Sequence, residues 1–215
     1  MSLKEKLQAY LLDRLSFSTM TYRPFTDDMR THFEGVYNQL CKGEYKRYSG
    51  PYPLHLLLHY LITEKELLVH GSNLSDITTF EPRRQTLFNG KPVTAVFASS
   101  DGIWSLFFAV VNRLEYEGSL KNLCILIGDK RYYYFSLNRD WSGPLWREGT
   151  IYLLPRCSFT QGGAKAEWVS TVEVEPIVKL NVSPEDFIFR NQVKRHNEQE
   201  PHWRAVVKGL FLARS

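Results

Sequence analysis

A few short stretches of the 215-residue chain carry side chains suited to chemistry. Leu68-Val69-His70-Gly71-Ser72 puts a histidine at the end of an apolar strand, with a glycine directly after it. A glycine at that point lets a ligand approach the backbone closely and leaves the main-chain N–H and C=O free to grip an amide. Glu167 opens the stretch Glu167-Trp168-Val169-Ser170, and strand alternation puts it on one face with Glu173 and Glu175. Arg83 and Arg84 follow Glu81-Pro82 in a polar loop, where guanidinium forks fit a diphosphate or an acidic target. His55 and His59 stand four apart, a spacing that can hold a metal. No acid or cysteine with recognisable spacing accompanies them, so they read as core-edge or surface histidines and no metal is expected. Cys41, Cys124 and Cys157 form no Cys-x-x-Cys pair, which argues against a structural zinc site and a disulfide scaffold.

These residues need elements to hold them. The first 66 residues read as helices. Leu3, Leu7, Leu11 and Leu15 repeat every four residues as an amphipathic stripe. Thr26 is an N-cap, with Asp27 and Asp28 in the first turn, where the helix dipole favours acids. Met29, Phe33, Val36, Tyr37 and Leu40 then share a face until Gly50-Pro51 stops the helix. A third helix starts near Pro53 and buries Leu54, Leu57, Leu58, Leu61 and Ile62. After Glu66 the pattern changes to short strands: 67–70, 93–98, 123–127, 132–137, 150–154, 167–172 and 174–180. Between two of these, Asp101 caps a short apolar helix through Trp104, Phe107, Phe108 and Val111. In Tyr132-Tyr133-Tyr134-Phe135 the side chains alternate, half to the core and half to a pocket or the surface. Ser183-Pro184-Glu185-Asp186 is a helix start, and Trp203, Val206, Val207, Leu210 and Phe211 fit a closing helix. Helices followed by strands indicate an α+β class rather than alternating βαβ units. We therefore expect a helical region over 1–66, packed on a core over 67–215 in one folding unit.

The order of these motifs resembles the ADP-ribosyltransferase fold of the His-Tyr-acid type, which includes the poly-ADP-ribose polymerases and the small bacterial rifampin ADP-ribosyltransferases. In that family a His-Gly-Ser/Thr strand end is followed by a strand ending in Tyr-Phe-Ala or Tyr-Ala before a helix. An acid on a later strand completes the set. Here the corresponding pieces are His70-Gly71-Ser72, then Ala95-Val96-Phe97-Ala98 running into the Asp101 helix, then Glu167-Trp168-Val169-Ser170. The resemblance covers roughly residues 67–180 and implies a split, mainly antiparallel two-sheet core that binds NAD. It implies that His70 hydrogen-bonds the ribose and that Gly71 holds the carboxamide through its backbone, with Ser72 at the pocket edge. Glu167, favoured over Glu173 and Glu175 because its Glu-Trp-Val-Ser order looks like the family's acid, would stabilise the oxocarbenium charge formed as nicotinamide leaves. The family's tyrosine position holds Phe97, or Val96 if the register slips by one. Phe97 can stack on a nicotinamide ring but donates no hydrogen bond, so it bears on catalysis more than on fold.

Composition sets the outer limits. The chain is 43% hydrophobic and 23% charged, too apolar for disorder, and its 14% aromatic content suits a β-rich core or a ring-lined pocket. The net charge of +4 is spread along the chain, with its densest clusters at Lys42–Arg47 and Arg190–Arg195, which argues against a nucleic-acid partner. No apolar run approaches the roughly 18 residues of a membrane span and the N-terminus shows no apolar leader, so the chain reads as soluble and cytoplasmic. The expected function is binding of NAD, with transfer of ADP-ribose to an unidentified acceptor. The alternative is a catalytically silent relative that uses the same cleft for a nucleotide or a protein partner. A tRNA 2′-phosphotransferase-like enzyme would use histidine and arginine more heavily than the isolated His70 allows.

Overall fold

The computed structural model describes residues 2–43 and 46–201. Within them the chain forms α1 (Leu3–Leu12), β1 (Ser18–Thr21), α2 (Asp27–Cys41), α3 (Leu54–Glu64), β2 (Leu67–Ser72), β3 (Arg83–Thr86), β4 (Pro92–Ser99), α4 (Gly102–Val110), β5 (Leu120–Ile127), β6 (Lys130–Asn138), β7 (Gly149–Pro155), β8 (Thr160–Gln161), β9 (Glu167–Ser170), β10 (Val178–Val182) and β11 (Lys194–His196). This is an α+β fold with two mainly antiparallel sheets. Residue contacts divide the chain into two compact units, one made of Met1–Arg23, Glu115–Pro144 and Phe189–Ser215, the other of Pro24–Leu114 and Leu145–Ile188. The division runs elsewhere than the boundary expected at residue 66. The closing helix expected from Trp203 to Phe211 lies outside the described residues.

In the first unit, Ser2 caps α1 by accepting from the Glu5 N–H while the Glu5 carboxylate accepts from the Ser2 N–H. The helix is held to the sheet by its opposite side from the leucine stripe: the Tyr132 hydroxyl donates to Asp13 at 2.8 Å, and Lys130 pairs with the same carboxylate. Leu3, Leu7 and Leu11 are consequently 86%, 59% and 54% exposed. The sheet is built around β6, which forms a hairpin with β5 through Gly128 in the left-handed region at φ +56°. β1 pairs antiparallel with Lys130–Tyr133, and β11 pairs parallel with Ser136–Asn138. Tyr132, Tyr133, Tyr134 and Phe135 are all buried, whereas alternation alone would turn half of them to a pocket or solvent.

In the second unit the strands are ordered β10-β7-β2-β4-β9-β8, and β3 pairs with β4. Helix α4, capped by Asp101 through the Trp104 N–H at 2.9 Å, lies on one face. It crosses so closely that a Cβ on Gly71 would fall 2.0 Å from the Ser105 carbonyl oxygen, and one on Gly149 would fall 1.9 Å from the Ala109 carbonyl oxygen. The other face carries a cluster of Leu68, Phe80, Val96, Ala98, Tyr152, Leu154, Phe159 and Val174. Phe80 and Val174 exchange backbone hydrogen bonds at 2.8 and 3.0 Å, which fastens the segment after β2 over that cluster. Leu57, Leu58 and Leu61 of α3 are fully buried, with Leu58 against Gly102.

Several elements differ from expectation: β1 lies within the stretch read as helical, β9 ends at Ser170 rather than at 172, and β10 runs over Val178–Val182 rather than 174–180. α2 stops at Cys41 rather than at Gly50-Pro51, because Gly43 takes φ +73° and its N–H returns to the Leu40 carbonyl. The Ser183 start yields one 3₁₀ turn, Pro184–Asp186, although its reciprocal cap forms with Ser183 N–H donating to Asp186 at 2.7 Å. Arg83–Thr86, expected in a loop, pairs with β4 as β3.

Candidate functional site

Paired residues in adjacent strands point to the same side of a sheet, and neighbours along a strand alternate. Val69 pairs with Ser99, and Ser99 pairs with Glu167. These positions share the face of Gly71, which α4 covers. Phe97, two residues before Ser99 and opposite Val169, joins them. His70 is one residue out of step and takes the other face, where its ring centroid lies 4.7 Å from that of Phe80. The motif order places His70, Phe97 and Glu167 in one cleft. The structure does not: His70 is on one side of the sheet, and Phe97 and Glu167 are on the other. The spacing of motifs along the chain carries no information about which side a register of period two selects.

His70 is half-buried, and its Nδ1 lies 2.7 Å from the Phe97 carbonyl oxygen. A carbonyl only accepts, so Nδ1 carries the proton and Nε2 presents a lone pair. Burial holds the pKa of His70 below the ordinary histidine range. The bond to the Phe97 carbonyl works against that shift, and the charges of Arg113 and Arg83 add to it. The ring is therefore a neutral acceptor. Arg83 sits on β3 opposite Ala95 and is exposed. Arg113, which no motif in the sequence marks, is set by Asn73: its backbone N–H donates to Asn73 Oδ1 at 2.8 Å, while Asn73 Nδ2 donates to the Ala109 carbonyl at 2.7 Å. The separation of forty positions from Asn73 to Arg113 hides this clasp from any spacing rule. Among the described residues neither guanidinium takes part in an ion pair. Arg83, paired with Ala95, lies on the Phe97 side of the sheet, and the Arg113 guanidinium lies over the Phe108 ring of α4 at 5.8 Å from its centroid, so both act on His70 as longer-range charges and not through contact.

Two other expected site residues have structural duties. Gly71 is buried and fits beneath α4, so its missing side chain makes room for the Ser105 and Ala109 backbone. Ser72 turns its hydroxyl onto the Leu74 N–H at 3.1 Å. Tyr152, opposite His70 on β7, accepts from the Ile77 N–H and donates to the Leu74 carbonyl, fixing the loop after the strand.

Glu167 is 6% exposed, and its carboxylate is occupied by the main chain. It accepts from the Phe88 N–H at 3.0 Å and from the Gly163 N–H, tying the β3–β4 turn to the β8–β9 turn. Gly162 makes room beside it, since a Cβ there would fall 2.6 Å from Glu167 Oε2. Glu173 and Glu175 are exposed and do not share its face, because β9 ends at Ser170. His55 is buried on α3, and burial pushes its pKa down to about 4. His59 packs against the Phe25 ring at 5.4 Å. All three cysteines are free thiols. No helix among the described residues is long and apolar enough to cross a membrane.

No family model matches the chain, and no curated protein or solved structure does.

Proposed function

We propose that the second unit binds NAD or a related phosphate-bearing nucleotide beside His70, without transferring its ADP-ribose. The observation that carries this reading is the neutral ring of His70, locked by Nδ1–H on the Phe97 carbonyl, with the charges of Arg83 and Arg113 acting on it. A ribose hydroxyl can donate to Nε2, and the charges of Arg83 and Arg113 add longer-range attraction for the diphosphate. Phe80, tilted at 56° to the imidazole, adds an apolar wall. Cleaving the nicotinamide bond would need a carboxylate against the developing cation, on the same side as His70. Glu167 faces the other way and already accepts main-chain hydrogen bonds, which favours the silent form over the transferase.

Thermal shift and calorimetry with NAD, ADP-ribose, ADP and nicotinamide test this reading. NAD and ADP-ribose are expected to bind and nicotinamide is not, because the phosphates supply the attraction. A ligand at about 100 times its dissociation constant raises stability by roughly 2.7 kcal/mol. Arg83→Ala with Arg113→Ala should weaken ADP-ribose about tenfold or more, and nicotinamide release from NAD should stay at the blank rate. No shift with millimolar NAD or ADP-ribose overturns the proposal.

A further inference from the structure

The first unit holds a second chemical constellation, independent of His70. Ser119 Oγ lies 2.9 Å from Nε2 of His196, and Nδ1 of the same ring lies 2.8 Å from Ser136 Oγ. His196 and Ser136 are buried and Ser119 is half-buried, so the chain of hydrogen bonds opens outward at Ser119. The Ser136 hydroxyl oxygen is placed to accept from Nδ1–H. That tautomer leaves Nε2 to accept the Ser119 proton. This is the relation of nucleophile, base and orienting group that activates a serine.

The serine itself is held by its surroundings. Gly118 before it takes φ +122°, and a Cβ there would fall 2.9 Å from Asn138 Cβ and Nδ2. The Tyr116 hydroxyl donates to the Ser119 carbonyl at 3.0 Å. The Ser119 N–H donates to the Glu198 carboxylate at 2.9 and 3.1 Å, and the Ser119 hydroxyl lies 3.2 Å from Glu198 Oε2. Lys121, 6% exposed, fixes the turn that carries Glu198 through the carbonyls of Asn197 at 3.4 Å and Glu200 at 2.5 Å. With Glu198 in place its carboxylate accepts from the Ser119 N–H and takes the single hydroxyl proton as well; once it leaves, that proton is free for Nε2 and the N–H is open to an oxyanion.

We propose that Ser119 is a nucleophile toward small esters, with His196 as its general base, and that Glu198 occupies the oxyanion position until substrate displaces it. Ser119 Oγ forms a bond to the ester carbonyl carbon as its proton passes to His196 Nε2. The bond from that carbon to the alkoxy oxygen then breaks, and His196 returns the proton to the leaving alcohol. Water repeats the sequence on the acyl-serine, releasing the acid and restoring Ser119.

The test uses the full chain, a fluorophosphonate probe and p-nitrophenyl acetate. The probe should add to Ser119, read by intact and peptide mass, with loss of fluoride; Ser119→Ala should show no adduct. Glu198 is exposed, so Glu198→Gln should keep the wild-type thermal transition, and it should be labelled at least tenfold faster than wild type. His196→Gln, if it keeps that transition, should lose on the order of 10²-fold in labelling rate. A folded Glu198→Gln protein that gives no Ser119 adduct and no ester turnover above blank overturns the proposal, as does equal labelling of folded His196→Gln and wild type.

Discussion

His70 meets Phe97 through a main-chain oxygen: Nδ1 of the histidine lies 2.7 Å from the Phe97 carbonyl, while the phenyl ring points to the opposite side of the sheet. The contact depends on backbone position and not on the identity of residue 97. Phe97→Tyr therefore places a hydroxyl on the Glu167 side, away from His70. It should produce no nicotinamide release from NAD and should leave NAD affinity within about twofold of wild type. Chromatographic measurement of released nicotinamide checks the first statement. Turnover that appears only in the tyrosine variant would mean that the two faces communicate.

Glu167→Ala should destabilise the second unit by roughly 2–4 kcal/mol, since the carboxylate accepts main-chain N–H groups from two turns and its removal orphans them. Glu167→Gln should also destabilise, because its amide nitrogen is a donor facing donors. Urea unfolding gives the magnitude. Hydrogen exchange should show the loss concentrated at Phe88 and Gly163. A variant with wild-type stability and lowered nucleotide affinity would return Glu167 to a ligand-binding role.

Gly71→Ala and Gly149→Ala should each cost about 3 kcal/mol or more. In both, the new methyl meets α4 backbone, which moves only if the whole helix moves. Gly163→Ala provides a contrast: its nearest neighbour is the Asn89 N at 2.7 Å, in an exposed turn that can shift. Chemical denaturation of the three variants should rank Gly163→Ala mildest. If Gly71→Ala is tolerated without loss, the close crossing of α4 is not what requires glycine there.

How much of this is legible in the sequence depends on the range over which each feature is set. The caps at Thr26 and Asp101 act within three residues, and both form as expected. β2, β4, β6 and β7 are legible because β-branched, aromatic and aliphatic runs mark them locally. The side on which His70 and Glu167 lie is not, because it depends on a pairing register between strands far apart in the chain. The contact of Ser119 with His196 spans 77 residues and has no spacing signature. The leucine stripe of α1 is periodic as expected, yet periodicity alone does not say that the helix is held by Asp13 instead.

That stripe gives a prediction of small effect. Leu3→Ser and Leu7→Ser should each change stability by less than about 0.5 kcal/mol, because 86% and 59% of those side chains are already in solvent. Tyr132→Phe, which removes the hydrogen bond to Asp13, should cost more than either, about 1 kcal/mol. Thermal unfolding of the three single variants tests the order. A large loss from Leu7→Ser would mean that this face is covered in solution.

Stability should fall as the pH drops from about 6.5 toward 4, with His55 a principal cause. Burial pushes the pKa of His55 down to about 4 in the folded chain from an ordinary value of 6.5. Between those values the unfolded chain binds a proton that the folded chain excludes, so protonation favours unfolding. The stability tied to neutral His55 is thus complete above the unfolded value and is lost through this window. The loss comes to about 3 kcal/mol, because each tenfold difference in proton affinity between the two states is worth about 1.36 kcal/mol. His70 is lowered in the same direction and adds to the loss. Urea unfolding at pH 7.5, 6, 5 and 4.5 should show wild type weakening, while His55→Leu, which has no proton to exclude, follows a shallower curve. Parallel curves for the two proteins would show that His55 is not the group being titrated.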